Sequence, residues 1–369
     1  MRILVINPIL YTSETSNIKK VTTIKDTMIY NMCLAFKKFG HEPILLAAEE
    51  YKPTVQEEYD FEIIFLKTKL KKIFKPNCLP LLKGIGKYIK ENSKNIDLII
   101  SSEVFSMSSL YVSIVNKKKT IIWHELAKHN KIFKKVPSKI WYNIVARLFF
   151  KNTRIVPRSR NAYEFISKYC NNVSNEYIDH GVDLEKFSND TTIKKENQFI
   201  VLSQLIPRKR IDGILKIFKD FLVNVDDSYK IYIIGKGEEE ENLKKLAEEL
   251  KIKDNVIFLG FMLHKELIPL LASSKAMIVN TEKDNNMVSI VESLATCTPI
   301  ITTLVPYNVD YIQRYNLGVA KEVLTYVDLE KIVKNNDTYV NNCKNYREKI
   351  SNDYHVKQFL SEYNKMKEE

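Results

Sequence analysis

The sequence predicts an α/β protein with two domains, each built on an open, doubly wound parallel sheet. Its 369 residues exceed the usual size of one domain, which is about 100–200 residues. Short apolar runs alternate with segments whose apolar residues recur at helical spacing, and this alternation is typical of doubly wound sheets. Aromatic residues make up 11% of the chain, which argues against a disordered protein.

The first half of the chain carries one set of these elements. The opening run ILVINP predicts a buried strand, because it is too short for a signal peptide and no cleavage site follows it. Residues 24–39 predict a helix that ends at Gly40, a helix-stop signal. Further buried strands are predicted at EPILLAA, IDLIISS, KTIIWH and TRIVPRS. No apolar run reaches the 18 residues of a membrane span, so we expect a cytoplasmic protein.

The second half repeats the pattern. It contains predicted strands at QFIVLSQL, YKIYIIGKG, NVIFLGF, KAMIVN and PIITT, and predicted helices at DGILKIFKDFLVNV, EEEENLKKLAEEL, ELIPLLASS and MVSIVESLA. The polar stretch 180–196 predicts the joint, with one domain at 1–182 and the other at 183–353. Ligands of such sheets bind outside the carboxyl ends of the strands, so we expect a cleft between the two sheets.

Positive charge is concentrated in the first half. Residues 63–154 contain 20 basic and 4 acidic side chains, whereas residues 181–369 contain 27 basic and 29 acidic ones. Lysines interleaved with aromatic residues suit an anionic membrane surface or acceptor. The expected patch consists of Lys71, Lys72, Phe74, Lys134, Lys135 and Trp141. Solubilising lysine is the alternative, and no recognised nucleic-acid-binding motif accompanies the charge.

Cofactor and metal chemistry find little support in the sequence. The five cysteines are scattered without a CxxC pair, so neither a disulfide framework nor a zinc site is expected. HExxH, Walker A and DxD motifs do not occur. We therefore expect an activity that needs no metal and no cofactor.

Two segments of the second half carry candidate anion-binding chemistry. Arg208 and Lys209 follow a predicted strand and could clamp a diphosphate, although a solvated surface run is the alternative. Asp284 and Glu292 flank a predicted helix start at Met287, where unpaired N–H groups favour an anion. Their carboxylates could hold sugar or ribose hydroxyls, with ordinary helix capping as the alternative.

Two further features have equally open interpretations. The turn Gly235-Lys236-Gly237 could approach a phosphate, but it lacks the third glycine of a dinucleotide site, and a tight strand-to-helix turn is the simpler interpretation. His124 ends a predicted strand where active sites of parallel sheets lie. A hydrogen-bonded structural histidine fits that position as well.

Taken in order, the motifs resemble the retaining glycosyltransferases of family 4, which have the two-domain GT-B fold. IDHGVDLEKF, VLSQLIPRKRIDGIL, IIGKGEEEENL and KDNNMVSIVESLATCTPIIT are similar to the family's IPNGVDxxxF, VGRLxxxKGxDxLL, IVGxGxxxxxL and EGFGLxxLEAMAxGxPVVA. The resemblance is strongest over residues 178–302. It implies two Rossmann-like domains facing a cleft, an acceptor-binding domain at 1–182 and a donor-binding domain at 183–353. A last helix at about 354–369 would pack back on the first.

The resemblance also implies a reaction. A sugar would move from a nucleotide-sugar donor, with UDP favoured, to a glycan or lipid-linked acceptor in surface polysaccharide or glycolipid biosynthesis. Together with the lysines and aromatic residues of the first half, the resemblance predicts an enzyme that is peripheral at the inner face of the cell membrane. Two alternatives remain open: a catalytically silent subunit that binds a nucleotide or a partner, and a nucleotide-sugar epimerase.

The resemblance assigns roles to individual residues. Lys209 would hold the diphosphate, Glu292 the ribose and Asp284 the donor sugar, while His124 would lie beside the reacting sugar. The expected catalytic residues are His124, Lys209 and Asp284, and the expected donor-binding residues are Gln204, Arg208, Lys209, Gly235, Asp284, Asn286, Glu292 and the backbone N–H groups of Met287 and Val288. Gln204 stands where the family has a phosphate-binding arginine, and Asn285 and Asn286 replace its GFG loop. Arg208 is expected to compensate for Gln204.

Overall fold

The computed structural model describes residues 1–11, 18, 20–187 and 193–368, without the side chains of residues 132 and 133. The chain divides into two compact units. The first comprises Met1–Gly181 together with the segment that begins at Asn352, and the second comprises Val182–Ser351. Part of the predicted joint at 180–196 lies outside the described residues.

The first unit contains a six-stranded parallel sheet. Its strands are β1 (Arg2–Ile6), β2 (Glu42–Ala48), β3 (Glu62–Leu66), β4 (Leu98–Ser102), β5 (Thr120–His124) and β6 (Arg154–Pro157). They lie in the order β3-β2-β1-β4-β5-β6. The helices are α1 (Met28–Lys38), α2 (Ile85–Asn92), α3 (Met107–Val115), α4 (Val136–Ile140), α5 (Arg147–Phe149) and α6 (Arg160–Ile166). A π-helical segment, Trp141–Ala146, joins α4 to α5.

The second unit repeats this architecture. Its strands are β7 (Gln198–Leu202), β8 (Lys230–Ile234), β9 (Val256–Gly260), β10 (Ala276–Val279), β11 (Ile300–Thr303) and β12 (Gly318–Lys321). They form a parallel sheet in the order β12-β11-β10-β7-β8-β9. The helices are α7 (Ile211–Asn224), α8 (Glu240–Glu249), α9 (His264–Ser273), α10 (Val288–Ala295), α11 (Val309–Arg314), α12 (Tyr326–Lys334) and α13 (Asn336–Tyr346).

The last helix, α14 (Asn352–Glu368), belongs to the first unit. Val356, Phe359 and Tyr363 are buried in the hydrophobic core of that unit. The Tyr363 hydroxyl donates to the carbonyl oxygen of Asp97 at 2.7 Å. Burying three large apolar side chains attaches the end of the chain firmly to the first sheet.

The predicted fold class, α/β with two Rossmann-like domains, is confirmed by both sheets. Two strands were not predicted: β3 and β12 lie at the edges of their sheets. The predicted helix at 24–39 begins only at Met28, because the Thr27 N–H donates to the Ile24 carbonyl in a turn. In the described part of the chain, no helix combines the length and apolar character needed to cross a bilayer.

Candidate functional site

The candidate site of the second domain lies at the carboxyl ends of β7, β8 and β10. A short 3₁₀ turn, Pro207–Lys209, leads from the end of β7 into α7 and carries both candidate cations. The loop after β10 carries Asp284 and leads into α10. Because neighbouring parallel strands end at one edge, segments about 75 residues apart in sequence become adjacent.

The cations and the carboxylate predicted for donor binding contact each other. Lys209 Nζ lies 2.7 Å from Asp284 Oδ2, and Arg208 Nη1 lies 3.1 Å from Asp284 Oδ1. Thr281 donates its hydroxyl to the same carboxylate at 2.7 Å. Lys209 and Asp284 are largely shielded from solvent, with side chains 10% and 15% exposed. The cluster therefore holds two oriented positive charges against one negative charge, and a diphosphate would be a stronger counterion for them.

The start of α10 corrects one expectation. The Met287 N–H was predicted to contact a phosphate, but it donates to Oδ1 of the buried Asn308 at 2.6 Å. This contact caps the segment before the helix, so that N–H is already satisfied in this structure. Val288 opens the helix, and its N–H belongs to the first turn, which has no intrahelical acceptor.

Glu292 has a partner that the sequence did not reveal. Its Oε1 lies 2.9 Å from His264 Nε2, the first residue of α9. The Glu292 side chain is 14% exposed, whereas His264 is about half exposed. The imidazole orients the carboxylate, so a ligand hydroxyl that reaches Glu292 would meet a fixed acceptor.

The two glycines of the turn after β8 are explained by backbone packing. A Cβ at Gly235, where φ is +137°, would lie 1.7 Å from the Ser203 carbonyl oxygen, and one at Gly237 would lie 2.1 Å from that of Leu205. The Leu205 N–H also donates to the Lys236 carbonyl at 3.1 Å. The loops after β7 and β8 are thus held together, which supports the tight-turn interpretation.

The remaining donor-binding candidates lie beside this cluster. Gln204 is exposed immediately after β7, and Asn286 is half-buried just before α10. Asn285 accepts a backbone hydrogen bond from Tyr307 at 3.3 Å.

In the first domain, His124 is completely buried. Its Nδ1 lies 3.0 Å from Glu103 Oε2, and its ring stacks on Phe165 with centroids 6.3 Å apart. Glu103 follows β4 in the left-handed region, with φ of 70°, and its Oε1 accepts from the Glu125 N–H at 2.8 Å. Because the imidazole is 0% exposed, the predicted contact of His124 with a sugar would require neighbouring side chains to move.

The sequence did not reveal two side chains that lie beside β5, Arg158 and His180. Arg158 follows β6, stacks 3.6 Å above the Trp123 ring and contacts Glu125 Oε2 at 3.0 Å. It also lies 3.2 Å from His180 Nε2. Burial, reinforced by the charge of Arg158, holds the pKa of His180 well below its ordinary value. His180 is therefore a neutral acceptor at physiological pH.

The electrostatics of Glu103 follow from the same cluster. Burial would raise the pKa of this carboxyl, but His124, Arg158 and the Glu125 N–H together hold it below its ordinary value. Glu103 is therefore ionised at neutral pH. The carboxyl ends of the strands in the first sheet thus present a half-buried carboxylate, a buried imidazole and a guanidinium.

The predicted basic patch needs a correction. Trp141 is half-buried, donates its indole N–H to the Val104 carbonyl at 2.9 Å and packs edge-on against Phe105, so it is not available to a membrane. Phe74 is also half-buried, and Lys71 is paired with Glu50 at 2.8 Å. Lys72, Lys134 and Lys135 are exposed as predicted. Among the described residues, no cluster of three His, Cys, Asp or Glu is arranged to hold a metal ion.

Comparison with known proteins identifies the family that the second domain resembles. A sequence model of the family described as Glycosyl transferases group 1 matches residues 183–352. The second domain belongs to the group 1 glycosyl transferases. The predicted resemblance to glycosyltransferases is thereby confirmed at this level.

One curated relative of this group 1 glycosyl transferase domain is named for the glucosyl lipid that it makes. The alpha-monoglucosyldiacylglycerol synthase of Streptococcus pneumoniae is 28% identical over 186 residues, which are 46% of this chain and 42% of that protein. The chain thus spans less than half the length of this relative.

Solved structures show the fold. A glycosyltransferase from Rickettsia africae superposes with a TM-score of 0.69 at 15% identity, covering 99% of this chain and 98% of that one. The structure of Anabaena Alr3699/HepE in complex with UDP superposes with a TM-score of 0.65 at 12% identity, and the match covers 98% of this chain and 100% of that one. Both likenesses support the GT-B fold predicted from the sequence.

Proposed function

We propose that the chain is a retaining glycosyltransferase that moves a sugar from a nucleotide-sugar donor to a glycan or lipid-linked acceptor. The observation that carries this proposal is the contact of Arg208 and Lys209 with Asp284, within a domain of the group 1 family. Two cations at the carboxyl edge of a parallel sheet suit the diphosphate of such a donor.

The donor would replace contacts that the free protein makes internally. Its diphosphate takes the place of Asp284 beside Lys209 and Arg208, and the released Asp284 carboxylate accepts hydroxyls of the sugar. Glu292, oriented by His264, accepts the ribose hydroxyls. UDP is the favoured nucleotide, since a solved structure of the same fold was obtained with UDP.

In the proposed reaction, the bond between the sugar C1 and the diphosphate oxygen breaks while the acceptor oxygen bonds C1 from the same face. The acceptor proton passes to the departing diphosphate. The protein contributes orientation and charge stabilisation, mainly from Lys209 and Arg208. We propose that these cations serve in place of a metal ion, so transfer should continue in the presence of a chelator.

The first domain would handle the acceptor at the cytoplasmic face of the membrane. Val136, Ile140, Ile144 and Leu148 are each more than half exposed at one-turn spacing along α4, the π-helical segment and α5. Lys135, Lys139 and Arg147 are exposed along the same helices. The sequence between Glu125 and Glu164 contains no acidic residue. An apolar stripe bordered by cations is typical of a helix that lies in an anionic membrane interface.

Nucleotide binding tests the proposal. The melting temperature is measured with UDP, GDP and ADP for the wild type, for Lys209→Ala and for Lys216→Ala, which removes a 59% exposed lysine from α7. We expect one nucleotide to raise the melting temperature of the wild type and of Lys216→Ala, because saturation to 100 Kd adds about 2.7 kcal/mol of stability. Lys209→Ala should lose most of this shift. No shift with any nucleotide would contradict donor binding.

A further inference from the structure

A second cluster of cations lies at the amino ends of strands in the second sheet, opposite the candidate donor site. Lys195 lies three residues before β7, Lys275 lies immediately before β10, and Lys344 belongs to α13. Together with Lys194 they line a cavity of about 550 Å³. The candidate donor site lies at the carboxyl ends of these strands, so the two sites are separated by the length of the sheet, about 15 Å.

The lysines that line this cavity lack counterions among the described residues. Among the described residues, none of its four lysines forms an ion pair, and Asp337 is the one acidic residue in its lining. The Lys195 ammonium has three donors, and within the described part of the chain it bonds only to Thr298 Oγ1, at 2.8 Å. Four cations against one carboxylate leave a net positive cavity wall.

The Lys195 side chain is partly buried in the wall of the cavity. Burial lowers its pKa to about 8, and the positive charges of Lys275 and Lys344 act in the same direction. The groups that oppose this shift are the buried thiols of Cys297 and Cys343. Even partial burial of an ammonium without a counterion costs free energy, and a bound anion would lower that cost.

We propose that this cavity binds a phosphate-bearing anion of two or more negative charges, at a site distinct from the donor site. Ammonium groups arranged around a cavity bind phosphoryl oxygens as point charges. The apolar lining from Ile193, Ala272 and Val340 provides room for an organic portion. A sugar phosphate therefore fits this lining as well as free pyrophosphate does.

The experiment must separate this site from the donor site, because both bind phosphates. Pyrophosphate and glucose 1-phosphate are titrated calorimetrically into Arg208→Ala/Lys209→Ala protein, which lacks the donor-site cations. We expect residual binding at one site. Adding Lys195→Met/Lys275→Met to this background should weaken it at least tenfold, while the exposed control pair Lys245→Met/Lys331→Met should leave it unchanged.

Two further variants keep the test independent of folding defects. Lys344 and Asp337 are both exposed, so replacing them leaves the core intact. Lys344→Glu should weaken binding and Asp337→Asn should strengthen it. Stronger binding of glucose 1-phosphate than of pyrophosphate would identify an organic phosphate as the ligand class, and the reverse would identify the inorganic anion.

Site-resolved readouts complete the experiment. In the wild type, the anion should slow amide exchange in peptides that contain residues 193–195, 272–275 and 337–344. Binding above pH 8 should take up a proton, seen as a binding heat that depends on the buffer, because the anion favours charged Lys195. Absence of residual binding in the donor-site variant, or equal binding by the cavity and control variants, would overturn the proposal.

Discussion

Nδ1 of the buried His124 lies 3.0 Å from Oε2 of Glu103, at the carboxyl edge of the first sheet. Neither ring nitrogen meets the geometry of a hydrogen bond within the described part of the chain. Because its Nδ1 still lies against the Glu103 carboxylate, the histidine predicted to lie beside the sugar is paired with an acidic side chain in this structure. The contribution of the Glu103 charge to this contact can be tested by mutation.

Replacing Glu103 by Gln should change acid stability. The pKa of Glu103 is held below its ordinary value, so its ionised form stabilises the fold above about pH 4.5, and that contribution disappears as the pH falls through the folded-state pKa. Glu103→Gln should cost about 1–3 kcal/mol at pH 7 and flatten the stability curve below pH 4.5. Urea unfolding measured from pH 3 to pH 8 checks this, with the exposed Glu58→Gln as control. Parallel curves for Glu103→Gln and the wild type would contradict it.

Replacing Asp284 by Asn should separate nucleotide binding from transfer. The change removes the internal counterion of Lys209 and Arg208, so UDP affinity should rise several-fold while the transfer rate falls by about 10²-fold. Calorimetry and a transfer assay on the same protein measure the two effects. The control is Glu282→Gln, which removes an exposed partner of Arg210. Loss of UDP binding in Asp284→Asn would show that Asp284 does not compete with the diphosphate.

Replacing Glu292 by Ala should weaken binding of the ribose but not binding of the diphosphate. UDP affinity should fall about tenfold, which is about 1.4 kcal/mol, while pyrophosphate affinity at the donor site stays unchanged. Replacing its partner, His264→Ala, should give a smaller loss of the same kind, because it only frees the carboxylate to rotate. Competition titrations with both ligands check this, and equal losses for UDP and pyrophosphate would contradict the ribose role.

The apolar stripe should be required for membrane binding. Ile140→Glu/Ile144→Glu should release the protein from vesicles that contain phosphatidylglycerol, as should reversing Lys134 and Lys135 to Glu. Reversing Lys71 alone should matter less, because Glu50 already neutralises it. Sedimentation with the vesicles measures this. Val223→Glu/Val327→Glu, which alters exposed aliphatic residues of the second domain, is the control, and unchanged sedimentation of the stripe variant would refute the membrane contact.

The fold class was predictable because local pattern specifies it. Buried parallel strands such as β5 and β7 are continuous apolar runs, and they stand between amphipathic segments such as α7. The edge strand β3 was missed because its apolar residues follow a charged segment without a turn signal. β12 has only four residues, with little apolar character to reveal it.

In the candidate site, only the residues that lie within a recognisable sequence motif were predicted. Arg208, Lys209, Asp284 and Glu292 were all singled out from the sequence. His264, Asn308 and Glu103 were not, because each acts on a residue brought near by tertiary packing: His264 lies 28 residues from Glu292, and Asn308 lies 21 from Met287. Likewise, Trp141 was assigned to the surface because composition does not show which face of a helix is buried.

Glycosyl transfer is measured most directly as nucleotide release from a panel of UDP-, GDP- and ADP-sugars, with and without vesicles of extracted membrane lipids. The wild type is compared with Lys209→Ala and with the exposed control Lys216→Ala. We expect nucleotide release from one donor, stimulated by the vesicles, retained in Lys216→Ala and reduced at least 10²-fold in Lys209→Ala. Equal release by the wild type and Lys209→Ala, or no release from a wild type that also binds no nucleotide, would contradict it.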